Sequence, residues 1–151
     1  MITIAIIDKH PILRTGLSIF LKDLISDIRI LETDSINTFQ QSCPDTSPDL
    51  IILGNTINSG TKELDSVYNL KKAYGIETVI VLSDSNDKNT IIHYLKAGVK
   101  GFILKEATIT ELTTCVTHVL NGKRYLCNEA VEVLIENYAS IIAKQRRQSS
   151  Q

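Results

Sequence analysis

The chain has 151 residues, 43% hydrophobic and 22% charged, with 16 Lys and Arg against 17 Asp and Glu for a net charge of −1. That length suits one domain able to bury ~70% of its unfolded surface, and so even a charge balance gives no global reason to expect a nucleic-acid or membrane partner. The opening MITIAIIDKHP has no basic n-region and its apolar run stops at Asp8, so neither a signal peptide nor a membrane span is expected, and the expected location is the cytoplasm.

Short apolar strands alternate with helical patterns. Ile2 to Ile7 reads as a first strand, and Pro11 then suits the first turn of a helix with Leu13, Leu17, Phe20, Leu21 and Leu24 on one face. Ile28 to Leu31 is a second strand and Ser35 to Gln41 a short helix. Leu50 to Leu53 is an unbroken apolar run of the kind that parallel sheets bury on both faces. Thr61 to Ala73 is helical, with Leu64, Val67 and Leu70 apolar and Gly75 as a stop. Thr78 to Leu82, a helix over Asn89 to Ala97 closed by Gly98, and a strand over Gly101 to Leu104 follow. Thr108 caps a fifth helix to Leu120, with Glu111 three residues on in a capping-box pattern.

Five βα repeats with brief connections predict a doubly wound, five-stranded parallel α/β sheet with right-handed crossovers. After Gly122 the pattern changes: Tyr125-Leu126-Cys127 is a short apolar piece, and Asn128 caps a sixth helix to about Ala143. Val131, Leu134, Ile135, Tyr138, Ile141 and Ile142 line one side of that helix, either as core packing or as a dimer seam. The expected division is a domain over 1–122, an extension helix over 123–143 and a polar linker or tail over 144–151. The basic KQRR in that tail reads as solvated linker.

In open α/β sheets the positions just past the carboxyl ends of strands form the reaction site. Here the third strand delivers Gly54 and Asn55, neither of them a nucleophile or strong base. No base–nucleophile pair and no Gly-rich phosphate loop is present, so no enzyme and no catalytic residue is expected. Cys43, Cys115 and Cys127 lack metal or redox spacing, and Cys115 with His118 supplies only two ligands on one helix, so no metal site is expected. His10, before a proline at a helix start, reads as a solvated turn residue.

The stretches IDKHPILRTGL (7–17), PDLIIL (48–53), VIVLS (79–83), AGVKGFILKEA (97–107) and GKRYLCNEAVEVL (122–134) resemble the receiver domains of two-component response regulators. They are most similar to the LuxR/NarL subgroup, in which a helix-turn-helix follows the receiver. The resemblance implies the (βα)5 CheY-like fold. It also implies an acidic pair that holds Mg²⁺, an Asp ending the third strand that accepts a phosphoryl group, and a Ser/Thr and a Lys that contact the phosphate. By position, Asp8 matches the first acid, Lys9 replaces the second, Gly54 replaces the acceptor, Ser83 matches the hydroxyl and Lys105 the lysine. Phe102 stands at the aromatic whose rotamer switches in the family, Asp84 replaces a small residue, and about Asn58 a customary Pro is missing.

These departures remove the family's chemistry. Aspartyl phosphorylation needs a carboxylate nucleophile, and Asp49 lies five residues back from Gly54, ~17 Å along a strand. Mg²⁺ binding is expected to be lost or weak, since Lys9 or Lys105 within ~4 Å of Asp8 would gain on the order of 4 kcal/mol at an effective dielectric near 20. The remaining polar residues are either structural remnants or the parts of a locked switch or non-phosphate site. The expectation is a pseudo-receiver, a regulatory domain working through homodimerisation, a sensor kinase or another partner protein, or a small ligand. DNA contact would come only from a C-terminal domain outside this chain. A stand-alone adaptor and a small-ligand sensor are the alternatives.

Overall fold

The computed structural model describes residues 1–55, 60–76 and 78–149. Six strands and six helices alternate: β1 (Ile2–Ile7), α1 (Pro11–Leu24), β2 (Ile28–Thr33), α2 (Ile36–Ser42), β3 (Leu50–Asn55), α3 (Gly60–Tyr74), β4 (Val79–Ser83), α4 (Lys88–Lys96), β5 (Gly101–Leu104), α5 (Ile109–Leu120), β6 (Tyr125–Leu126) and α6 (Asn128–Ser149). The strands form one parallel sheet in the order β2-β1-β3-β4-β5-β6.

The apolar runs explain this arrangement. Ile4, Ala5, Ile6, Leu50, Ile51, Ile52, Val79, Ile80 and Val81 are all fully buried, as strands covered on both faces must be. α1 turns Leu17 and Leu21 to the sheet, α3 its Val67 and Leu70, and α5 its Leu112, Cys115, Val116 and Val119. Polar caps start the helices: Ser35, Asp87 and Thr108 each accept the backbone N–H three residues on. The expected face of α1 is present in Leu13, Leu17, Phe20 and Leu21, whereas Leu24 near the end of the helix is exposed; the Leu64 side chain and Asn58 lie outside the described residues.

Three expectations are corrected. The sheet has six strands, not five, because Tyr125 and Leu126 pair with Gly101 and Phe102 along the edge of β5. Tyr125 N donates to the Lys100 carbonyl at 2.9 Å and Cys127 N to that of Phe102 at 3.0 Å. β3 runs two residues past Leu53, with Gly54 opposite Leu82 and Asn55 opposite Ser83, so these positions end the strand instead of following it. α6 continues to Ser149, through the segment expected as a linker; Ala143, Lys144, Gln145, Arg146 and Arg147 are all good helix formers.

The order reverses at β1, whose neighbours are β2 on one side and β3 on the other. That reversal opens a crevice at the carboxyl edge of the sheet, where ligands bind in doubly wound folds. Asp8, Gly54, Ser83 and Lys105 all stand at this edge.

Candidate functional site

Asp8 follows β1 directly, its backbone N–H bound to the Thr33 carbonyl at 3.1 Å. Its carboxylate is turned inward and the residue is only 2% exposed. Oδ1 accepts from the His10 backbone N–H at 2.7 Å and lies 3.1 Å from His10 Nδ1. Oδ2 lies 2.9 Å from Lys105 Nζ. Arg14, one turn into α1, donates Nη1 to the Asp8 carbonyl at 2.6 Å.

Gly54 is what makes this position of Asp8 available. A Cβ on Gly54 would overlap Asp8 Oδ2 and stand 2.5 Å from its Cγ and 2.9 Å from its Cβ. The Asp8 carboxylate thus occupies the volume into which a side chain at the end of β3 would project.

Lys105, just past β5, is bound through its own N–H to the Ser83 carbonyl at 2.9 Å. Its ammonium reaches Asp8 and lies 3.7 Å from Asp84 Oδ1. Asp8 Oδ2 and Lys105 Nζ are both buried, and their close approach is off the axis of a well-directed hydrogen bond. The contact is therefore chiefly Coulombic: removing Lys105 leaves the buried Asp8 carboxylate with the His10 contacts but without its closest cation, whereas removing Asp8 leaves Lys105 beside Asp84. Ser83, fully buried, donates its hydroxyl to the Ser85 carbonyl at 2.9 Å and accepts from Ser85 N–H at 3.1 Å. The hydroxyl thus closes the turn after β4. A cavity of about 460 Å³ opens beside the pair, lined by Ser83, Asp84, Asn86, Leu104, Lys105 and Glu106.

Asp8, Gly54, Asp84 and Lys105 are thus brought together, with Ser83 alongside. Lys9 is not among them: it is exposed and forms no ion pair among the described residues, so Lys105 alone supplies the ammonium beside Asp8. Phe102 points into the core, fully buried, its ring centroid 6.1 Å from that of Tyr94. Asp49 sits at the opposite end of β3, where its carboxylate accepts from Thr3 N–H at 2.8 Å.

Sequence reasoning missed two members of the cluster, His10 and Arg14. His10 is a carboxylate-capping residue and not only a solvated turn residue, although its side chain is 53% exposed. The available signal was proximity: two residues after Asp8 at a helix start, its N–H has no helical acceptor and turns back to the carboxylate. His118 is taken up structurally, with Nδ1 2.8 Å from the Thr114 carbonyl and its ring edge-on to Tyr125. Burial pushes the Cys115 thiol up to about 12 and that of Cys127 to about 11.

The donor set fits a divalent cation poorly. Mg²⁺ demands oxygen ligands in near-octahedral array at about 2.0–2.1 Å, and the one carboxylate at the end of β1 already faces an ammonium group at 2.9 Å. Among the described residues no three His, Cys, Asp or Glu side chains converge as metal ligands.

Residues 4–117 match the family model of the response regulator receiver domain. The oxygen regulatory protein NreC of Staphylococcus epidermidis is 26% identical over 139 residues, covering 91% of this chain and 63% of its own length. NreC of Staphylococcus carnosus is 25% identical over the same span. The chain therefore spans about 63% of the length of these curated relatives. A LuxR family DNA-binding response regulator from Silicibacter pomeroyi superposes with a TM-score of 0.71 at 25% identity, over 85% of this chain and 98% of that one. The isolated receiver domain of RcsB from Salmonella enterica, solved with a phosphomimetic beryllofluoride, gives 0.74 at 18% identity over 87% and 97% of the two chains, a likeness of fold. Among the described residues no helix is long and apolar enough to cross a membrane.

Proposed function

The chain belongs to the response regulator receiver domain family, and we propose that it is a receiver working without aspartyl phosphorylation. The observation that carries this reading is the Asp8 carboxylate lying against Gly54 in the space of the absent acceptor side chain, bound to Lys105 at 2.9 Å. Phosphoryl transfer to a receiver requires a carboxylate nucleophile at the end of β3, and glycine supplies none. Asp8 is a poor substitute, because its Oδ1 is held by His10 and its Oδ2 is neutralised by Lys105. A permanent internal ion pair stands where a lysine would otherwise meet a transient phosphoryl group. The role is regulatory and not enzymatic.

Control then passes to binding. A second copy, a sensor kinase, another partner protein or a small ligand shifts the receiver only by its differential affinity for two states. By likeness to the LuxR-type regulators, the chain is the input part of a transcription regulator, with DNA contact made by a segment beyond residue 151.

The test is incubation with Mg²⁺ and acetyl phosphate, followed by intact mass and circular dichroism. Both should stay unchanged. A stoichiometric, acid-labile gain of one phosphoryl group on an aspartate overturns the proposal.

A second reading, a small-ligand sensor, has one observation in its favour. An apolar groove of about 230 Å³ runs between α1 and α5, lined chiefly by Leu13, Leu17, Phe20, Leu104, Ile109 and Leu112. Ligands filling it should raise the melting temperature by mass action. A flat response across an apolar fragment set removes this alternative.

A further inference from the structure

α6 carries an apolar stripe that the domain does not cover. Its Ala130 is buried and its Val133 and Asn137 half-buried against the domain, where the helix packs on α4 and β6. At 100° per residue the next face round holds Val131, Leu134, Ile135, Tyr138, Ile141 and Ile142. Ile135 is 62% and Tyr138 65% exposed, and Val131, Leu134 and Ile141 are each exposed by more than a third. Contiguous apolar surface of this kind marks an interaction site.

The charges beside the stripe indicate what covers it. Glu129, Glu132 and Glu136 lie in the first half of the helix and Lys144, Arg146 and Arg147 in the second. Two copies of α6 laid side by side in parallel would set acid on acid and base on base. Laid antiparallel about Tyr138, each acidic half meets the other copy's basic half, and the two helix dipoles oppose. On the wheel that register sets Leu134 of one copy against Ile141 of the other, Ile135 against Ile142, and Glu132 against Arg146. The surface is self-complementary, as a two-fold interface requires.

We propose that α6 is a self-association surface, pairing antiparallel with α6 of a second copy of this chain around a two-fold axis at Tyr138. The inference builds on the proposed reliance on contacts in place of phosphate, and names the contact. Two such stripes would bury on the order of 1,000 Å², the size range of weak, reversible complexes, so a concentration-dependent monomer–dimer equilibrium is expected.

Sedimentation of the 151-residue chain at low salt should show mass rising towards the dimer with concentration. Tyr138→Glu should abolish this while circular dichroism stays native, since the side chain is exposed. Glu132→Lys and Arg146→Glu should each weaken association about tenfold, and the two together should restore it to within about threefold. A chain that stays monomeric at high concentration overturns the proposal, as does a dimer indifferent to Tyr138→Glu. Single charge variants that the double variant fails to rescue overturn the antiparallel register. None of these outcomes touches the phosphorylation test, which reads mass gain on the monomer or dimer alike.

Discussion

Asp8 and Gly54 act as one unit, because the space of one is filled by the side chain of the other. Gly54→Ala should therefore destabilise by about 1–3 kcal/mol, the usual range for forced overpacking, read as a shift in the urea midpoint. Combining it with Asp8→Ala should recover part of the loss, a non-additivity that identifies the overlap as the cause. Lys105→Met strands a buried carboxylate and should cost about 3–5 kcal/mol. The pair Asp8→Leu with Lys105→Met should cost less than Lys105→Met alone, because no lone charge is left. The two buried thiols give a separate prediction. Burial holds Cys115 and Cys127 protonated up to about 12 and about 11, whereas unfolding releases them to ionise near the ordinary thiol value of 9.0. The unfolded chain then binds fewer protons than the folded one, so stability is unaffected below pH 9 and falls as pH rises from there towards 12. Comparison with Cys115→Ala/Cys127→Ala isolates this loss from other alkaline titrations. At pH 8 iodoacetamide should label only the half-buried Cys43 in the native protein.

Among elements, α5 approaches β5 closely at a glycine. A Cβ on Gly101 would come within 2.9 Å of Ile80 Cγ1, 3.1 Å of Cys115 Sγ and 3.2 Å of Val119 Cγ2. Gly101→Ala should lower stability by about 1–3 kcal/mol in denaturant titration. β1, β3 and β4 were legible because each carries four buried apolar residues in a row, and α1 and α5 because of a stripe of period 3.6; β2 and α2 carry weaker signals, with Arg29 interrupting the one and Phe39 alone buried in the other. β6 was not legible, since two residues carry no period and its pairing depends on the neighbouring edge of β5. The end of α6 is not legible because the apolar stripe stops at Ile142, while the Lys, Gln and Arg that follow still sustain a helix to Ser149. The site was legible in its members and not in its contacts. Asp8, Ser83, Asp84 and Lys105 were legible through the resemblance to receiver domains, by the positions they match. That Lys105 and not Lys9 faces Asp8 depends on where β5 ends, and that Arg14 supports Asp8 depends on how α1 leaves β1. A glycine gives no sign in sequence of which neighbour fills its space.

For the whole molecule, one core unites the sheet and its helices, from Ile4 through Phe39 and Phe102 to Ala130. Because the ion pair already joins the end of β1 to that of β5, millimolar Mg²⁺ should leave the melting temperature unmoved, whereas a competent metal site would raise it by mass action. A rise of several degrees would mean that the cation displaces Lys105 from Asp8. The filled space beside Gly54 also bears on the history open to this sequence. A single substitution that places an aspartate at position 54 sets it against an occupant of like charge, which among the described residues is already paired with the Lys105 ammonium. The first step back is uphill until Asp8 withdraws, and withdrawing Asp8 first leaves Lys105 with only the longer 3.7 Å approach to Asp84 among the described residues. The arrangement behaves as a ratchet, easy to enter and costly to leave.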